Sequence, residues 1–180
     1  MPNLKADDFN GPFDQFLARY DYQPKLTPHL DNLKETAFSQ ELINEITLWK
    51  TNRYVAVNSA LMRTIDELAS LSNGEHRQAE LVLRQLLEIS GIDLGMASSI
   101  LRFRNPRVFQ ILDRHAYRAI YGEPLKSISH KKPGAKVNLY FDYLDRLVEL
   151  CRRRALDFTT IDRLLYVFDK ESNGLLDKND

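Results

Sequence analysis

Little in this 180-residue chain can be joined or chelated through sulfur, because Cys151 is its single cysteine. One cysteine excludes an intramolecular disulfide, a cysteine-based zinc site and a four-cysteine iron–sulfur cluster. It also makes a reducing cytoplasm the expected compartment. Proline and glycine are scarce, at 7 each, which argues against a loop-rich β-fold and for a largely helical chain. No apolar run approaches the roughly 18 residues of a membrane-spanning helix. The opening residues, MPNLKADDF, have neither a basic n-region nor an apolar h-region, so no signal peptide is expected. Four scattered histidines, His29, His76, His115 and His130, show no ligand spacing, and no metal is expected.

What is present is ordinary in amount and uneven in placement. Hydrophobic content of 43% and charged content of 28% suit a soluble globular protein. The 25 basic side chains balance 25 acidic ones. Residues 1–93 hold 9 basic and 14 acidic groups, residues 94–141 hold 9 and 2, and residues 142–180 hold 7 and 9. A neutral total does not exclude nucleic acid, because phosphate is bound by a local patch. Solvated surface is the other reading of such charge runs.

Periodicity predicts an all-α chain of seven or eight helices, read as a single domain over residues 1–180. Asp7 to Tyr20 holds a short helix after Pro12, and Pro24 and Pro28 mark an extended link. Ser39 caps ELINEITLWK, with Leu42, Ile43, Ile46 and Trp49 on one face. Asn58 opens a second helix that Asn73-Gly74 stops. Glu75 to Ile89 reads as a strong amphipathic helix, with Leu81, Leu83, Leu86, Leu87 and Ile89 apolar, and Gly91 stands where a C′ residue would. Leu94 to Phe103 follows, small at Gly95, Ala97, Ser98 and Ser99. Pro106 forbids direct continuation. Asp113 is a natural N-cap for the next helix, which closes at Gly122. Residues 123–136 form a basic loop. Asn138 to Leu156 is a long helix with Leu139, Phe141, Leu144, Leu147, Val148 and Cys151 largely inward. Thr159 or Thr160 caps a last one.

Two features carry chemistry. A glycine turn between helices leaves several backbone N–H groups at the second helix N-terminus, and with the helix dipole they form an anion site. An ordinary αα-hairpin turn has the same glycine. Asp113 lies in a sequence field of Arg102, Arg104, Arg107, Arg114 and Arg118, with no other acid between residues 94 and 122. A carboxylate there can stabilise a developing positive charge or orient a water. It can equally be a capping residue in local salt bridges. His115 sits in the first turn of that helix, where a structural hydrogen-bonding role competes with a catalytic one. Lys126, His130, Lys131, Lys132 and Lys136, and the run Arg152-Arg153-Arg154, are further phosphate candidates or solvated surface. Trp49, Tyr54, Tyr117 and Tyr121 could stack a base, although core packing is expected of most of them.

Taken together, LLEISGIDLGMASSIL followed by ILDRHAYRAIYG resembles the helix-hairpin-helix DNA glycosylase superfamily, the relatives of endonuclease III. The resemblance covers residues 84–122 well and the flanking helices weakly. It implies a two-lobed helical fold and a double-stranded DNA partner carrying a damaged or mismatched base. The hairpin, Ser90, Gly91, Ile92, Asp93, Leu94, Gly95, Met96 and Ala97, would be the DNA-binding element. Asp113 falls on the catalytic aspartate, His115 on the histidine after it and Arg118 on the arginine. Trp49, Tyr54, His115 and Arg118 are the implied pocket residues. No organic cofactor is implied, and the hairpin could hold a monovalent cation. Gly95 occupies the position of the Schiff-base lysine, so lysine-based lyase chemistry should be absent. Serine replaces the family proline at Ser90. Asp93 replaces the second hairpin glycine, where its side chain is expected to restrict φ. The expected activity is base excision by a monofunctional glycosylase, and the alternative is a non-catalytic DNA-binding or interaction module of the same fold.

Overall fold

The computed structural model describes residues 11, 13–20, 22–32, 39–128, 132–174 and 176. Among these residues the chain is all-α, with no strand. No helix among them is long and apolar enough to cross a membrane. Two compact units are present, Met1–Tyr54 and Val55–Asp180.

The first unit holds α1 (Asp14–Leu17), α2 (Thr27–Asp31) and α3 (Gln40–Lys50). Ser39 caps α3 as its sequence suggests, its Oγ accepting the Leu42 amide at 3.2 Å. The segment around Pro28 is not an extended link. Pro28 enters the first turn of α2, where its missing N–H costs nothing and its fixed φ suits the helix. Trp49 is held inside this unit. Its indole Nε1 donates to Thr27 Oγ1 at 2.9 Å, and the Tyr22 ring meets it edge-on at 5.2 Å.

The second unit contains α4 (Ser59–Glu67), α5 (Glu80–Leu87), α6 (Leu94–Arg104), α7 (Arg114–Tyr121), α8 (Pro133–Arg154) and α9 (Ile161–Asn173). Asn58 caps α4, its Oδ1 accepting the Leu61 amide at 2.9 Å. The helix ends at Glu67 and tightens into a 3-10 turn over Leu68–Ser70, well before Asn73-Gly74. The predicted helix over Glu75 to Ile89 likewise begins as a 3-10 turn, His76–Ala79, and Leu81 faces solvent while Val82 and Leu83 turn inward. The long helix starts earlier than its apolar period suggests. Pro133 occupies its first turn, so residues 133–136 belong to α8 rather than to a basic loop. His130 and Lys131 lie outside the described residues.

The core of this unit is built from one face of each helix. Leu83, Leu86, Leu94, Ala97, Leu101, Phe109, Leu144 and Leu147 are all buried in it. The inward face of α8 carries Val137, Tyr140, Phe141, Tyr143, Leu144, Leu147 and Cys151, which leaves Leu139 and Val148 only half-buried. Asn105 closes α6 and substitutes for absent backbone partners. Its Nδ2 donates to the carbonyls of Leu68 at 2.9 Å and Leu71 at 3.0 Å, satisfying the end of the 3-10 turn. Neither Thr159 nor Thr160 caps α9 through its side chain. Asp157 does the capping a turn earlier, accepting the Thr159 amide at 2.9 Å.

Candidate functional site

The site begins at the turn between α5 and α6. Gly91 adopts φ +90°, a conformation that L side chains rarely reach, and a Cβ there would meet Val55 Cγ2 at 3.4 Å. The Ile92 amide donates to the Ile89 carbonyl at 3.0 Å and closes the turn. Burial then alternates along the segment singled out as the hairpin. Ile92, Leu94 and Ala97 turn into the core, whereas Ser90, Gly91, Asp93 and Met96 face solvent and Gly95 is half-buried.

Asp93 is the N-cap of α6. Its φ of −88° and ψ of 179° are extended, so replacing a glycine here carries no backbone strain. The expectation that an aspartate side chain would restrict the turn therefore fails. What it does is electrostatic. Asp93 Oδ1 accepts the Met96 amide at 2.8 Å, and the chain's own carboxylate thus occupies part of the anion position at this helix N-terminus.

Asp113 caps α7. Its Oδ1 accepts the amides of His115 at 2.8 Å and Ala116 at 3.2 Å, and the residue is half-buried. The segment leading to it is largely buried, and side chains from three helices meet its backbone groups at Gln110, Ile111 and Leu112. Tyr140 and Tyr143 of α8 donate to the carbonyls of Gln110 at 2.9 Å and Ile111 at 3.1 Å. Burial pushes both phenols above their ordinary pKa, so they serve only as O–H groups. Asp162 of α9 accepts the Ile111 amide at 3.5 Å. Ser98 of α6 accepts the Leu112 amide at 3.0 Å while donating to the Gly95 carbonyl at 2.7 Å. Through Ser98 the hairpin helix and the approach to Asp113 are mechanically one piece. A Cβ built on Gly95 would lie 3.5 Å from Asp93 Oδ1 and 3.9 Å from the Leu112 carbonyl, between the hairpin cap and the residue before Asp113.

Three of the arginines near Asp113 in sequence, Arg102, Arg104 and Arg118, meet other carboxylates in space. Arg102 is buried, with Nε 3.6 Å from Asp162 and its Nη2 donating to the Thr159 carbonyl at 3.1 Å. Arg104 grips Asp66, donating to its carbonyl at 2.6 Å. Arg118 donates to both oxygens of Asp169, at 3.0 Å and 2.8 Å, and to the Gly174 carbonyl at 2.5 Å. His115 Nδ1 lies 2.7 Å from the same Asp169 carboxylate, and Tyr166 meets its ring edge-on at 5.2 Å. Burial alone would raise the pKa of Asp169. Hydrogen bonds from Arg118, Asn173 and His115 outweigh it and hold the group at about 2. His115 and Arg118 are thus locked from beneath by α9.

Tyr117 and Tyr121 pack against each other with ring centroids 4.3 Å apart and planes tilted by 31°, and they line a surface cavity with Asp142 and Arg146. Asp113 does not line it. Trp49 and Tyr54 belong to the first unit. Among the described residues no three His, Cys, Asp or Glu side chains converge into a metal-holding group. A monovalent cation at the turn would need carbonyl oxygens such as that of Ile89, which also accepts the Ile92 amide at 3.0 Å.

Sequence reasoning missed Ser98, Tyr140, Tyr143 and Asp169. The two tyrosines were legible in principle, since they fall on the inward period of α8. Asp169 was not, because its partners lie over fifty residues away in the chain. Scans against protein-family models, curated proteins and solved structures return no match.

Proposed function

We propose that the chain is a monofunctional, helix-hairpin-helix type DNA glycosylase that flips a damaged or mismatched nucleotide and hydrolyses its N-glycosidic bond. The observation that carries this reading is the Ser98 bridge, which couples the Gly91 turn to the segment presenting the Asp113 carboxylate. A phosphate gripped at the turn would then set the distance from backbone to Asp113, which is what a positioned electrostatic catalyst requires. In the reaction the C1′–N bond breaks and its electron pair leaves on the base. Asp113 stabilises the oxocarbenium-like sugar and orients a water, whose oxygen bonds to C1′ as its proton passes to the carboxylate or to solvent. His115 and Arg118 act from below, by fixing α7, rather than by reading the base as their sequence positions suggest.

A second reading is favoured by one observation, the Asp93 carboxylate at the α6 N-terminus. A negative group there opposes phosphate, and a non-catalytic DNA-binding or interaction module would tolerate it.

Duplexes carrying a panel of lesions and mismatches, incubated with the protein and then treated with alkali, separate the two. The first reading expects base release from at least one duplex and a loss of roughly a hundredfold or more in Asp113→Asn. Full activity in that variant would remove Asp113 from its role. Binding without release, equal for intact and abasic duplex, selects the second reading. Absence of binding at low salt eliminates DNA from both.

A further inference from the structure

Helix α9 buries two carboxylates beside Ile161 and Leu165 and leaves a stripe of apolar side chains outside. Asp162 is 3% and Asp169 0% exposed, whereas Leu164, Val167 and Phe168 are 43%, 50% and 50% exposed. Their spacing, i, i+3 and i+4, places the three apolar residues on one stripe. Beside that stripe, α7, α8 and α9 enclose an open groove of about 450 Å³. Leu150, Leu156, Leu164 and Phe168 supply its apolar surface, and Arg153 and Arg154 form its rim. Both arginines are exposed, and among the described residues neither makes an ion pair.

We propose that this groove docks a short amphipathic helix of a partner protein, with leucine or phenylalanine at helical spacing and aspartate or glutamate beside them. The apolar stripe fits a helix-in-groove contact read through anchors at i, i+3 or i+4 and i+7. The arginine rim selects for acidic flanks and against basic ones. Two other occupants fit less well. A second copy using the same face would bring Arg153 and Arg154 towards their own equivalents across the two-fold. A bilayer is entered by projecting apolar groups, whereas this surface is concave. The proposal is independent of any activity at Asp113.

The test uses the full chain and two fluorescent peptides of about 18 residues, both helical with the same leucine stripe, one with glutamate and one with lysine on its flanks. Fluorescence anisotropy should show micromolar binding of the glutamate peptide and at least tenfold weaker binding of the lysine peptide. Phe168→Asp and the pair Arg153→Glu with Arg154→Glu should each weaken the glutamate peptide at least tenfold. The arginine reversal should also strengthen the lysine peptide. Unchanged thermal unfolding of these surface variants shows that the fold is retained. No binding of the glutamate peptide, or equal binding of both peptides, overturns the proposal. Self-association in sedimentation that Phe168→Asp abolishes assigns the face to a second copy and overturns it too. So does binding to anionic lipid vesicles that depends on Phe168, in the absence of peptide binding.

Discussion

Asp169 on α9 and Arg118 on α7 are joined through both carboxylate oxygens, at 3.0 Å and 2.8 Å, with the carboxylate fully buried. The same carboxylate meets His115 Nδ1 at 2.7 Å and Asn173 Nδ2 at 2.8 Å. One acid therefore fixes two residues a turn apart on α7, and with them the rotation of the helix that Asp113 caps. Removing it takes from the largely buried Arg118 and His115 the carboxylate that they share. Asp169→Ala should lower stability by about 3–5 kcal/mol, read as a shift in the urea midpoint with little change in slope.

The same group imposes an acid limit. Asp169 is held at about 2, below its ordinary value of 3.8. A depressed carboxylate stabilises the fold fully above its unfolded pKa and loses that contribution as pH falls through the folded one. The loss should therefore run from about pH 4 down to about pH 2 and amount to roughly 2 kcal/mol. Urea unfolding across that window should show the decline in the wild type. In Asp169→Asn the protein should start less stable and lack this component of the slope. An identical slope in both would mean that another carboxylate carries it.

Ala155 ends α8 at φ 52° and ψ 45°, the left-handed conformation that glycine adopts with least cost. Its amide donates to the Cys151 carbonyl, so the geometry is held by the helix itself. Ala155→Gly should raise stability by about 0.5–1 kcal/mol, the relief of the Cβ clash exceeding the added freedom of the unfolded chain. Thermal unfolding would register this as a rise in midpoint, and a fall would show that the αL geometry costs alanine little here.

Local signals were legible because they act within a turn of the chain. Ser39, Asn58 and Asp113 each cap the helix that their position suggests, and Gly122 takes positive φ where α7 stops. Gly91 also takes positive φ, but in the turn after α5 rather than as its C′ residue, because that helix ends at Leu87. Pro28 and Pro133 misled because proline both breaks a helix and begins one, and sequence does not say which. The arginines around Asp113 misled for a different reason. Charge clustered along the chain is redistributed by folding, and Arg102, Arg104 and Arg118 pair with Asp162, Asp66 and Asp169 from other helices. The burial of Asp162 and Asp169 and the exposure of Leu164, Val167 and Phe168 escape periodicity, since both stripes repeat with the helix and only packing decides which turns inward.

Asp93 offers a direct handle on the anion site. Asparagine is as good an N-cap as aspartate, so Asp93→Asn should keep the Met96 hydrogen bond and leave stability within about 0.5 kcal/mol. It removes the negative charge from the α6 N-terminus. If duplex DNA meets this turn, affinity at low salt should rise roughly two- to fivefold, and the gain should shrink as salt is added. Titration of a labelled duplex at two salt concentrations measures both. Affinity unchanged by the substitution would place the DNA contact elsewhere on the protein.

Gly95 tests whether the sugar of a flipped nucleotide lies where the proposed chemistry needs it. A Cβ at this position makes only ordinary contacts, 3.5 Å to Asp93 Oδ1 and 3.9 Å to the Leu112 carbonyl, and no positive φ obstructs a side chain. Gly95→Lys should therefore fold, with a flexible amine rooted between the hairpin cap and the residue before Asp113. With duplex DNA containing an abasic site, that amine can add to the C1′ aldehyde, lose water to form an imine and be trapped as a secondary amine by borohydride. Denaturing gels should show the covalent adduct for Gly95→Lys and none for the wild type. An absent adduct in a variant that still binds the abasic duplex would mean that C1′ does not approach this end of α6, and the role given to Asp113 would fall with it.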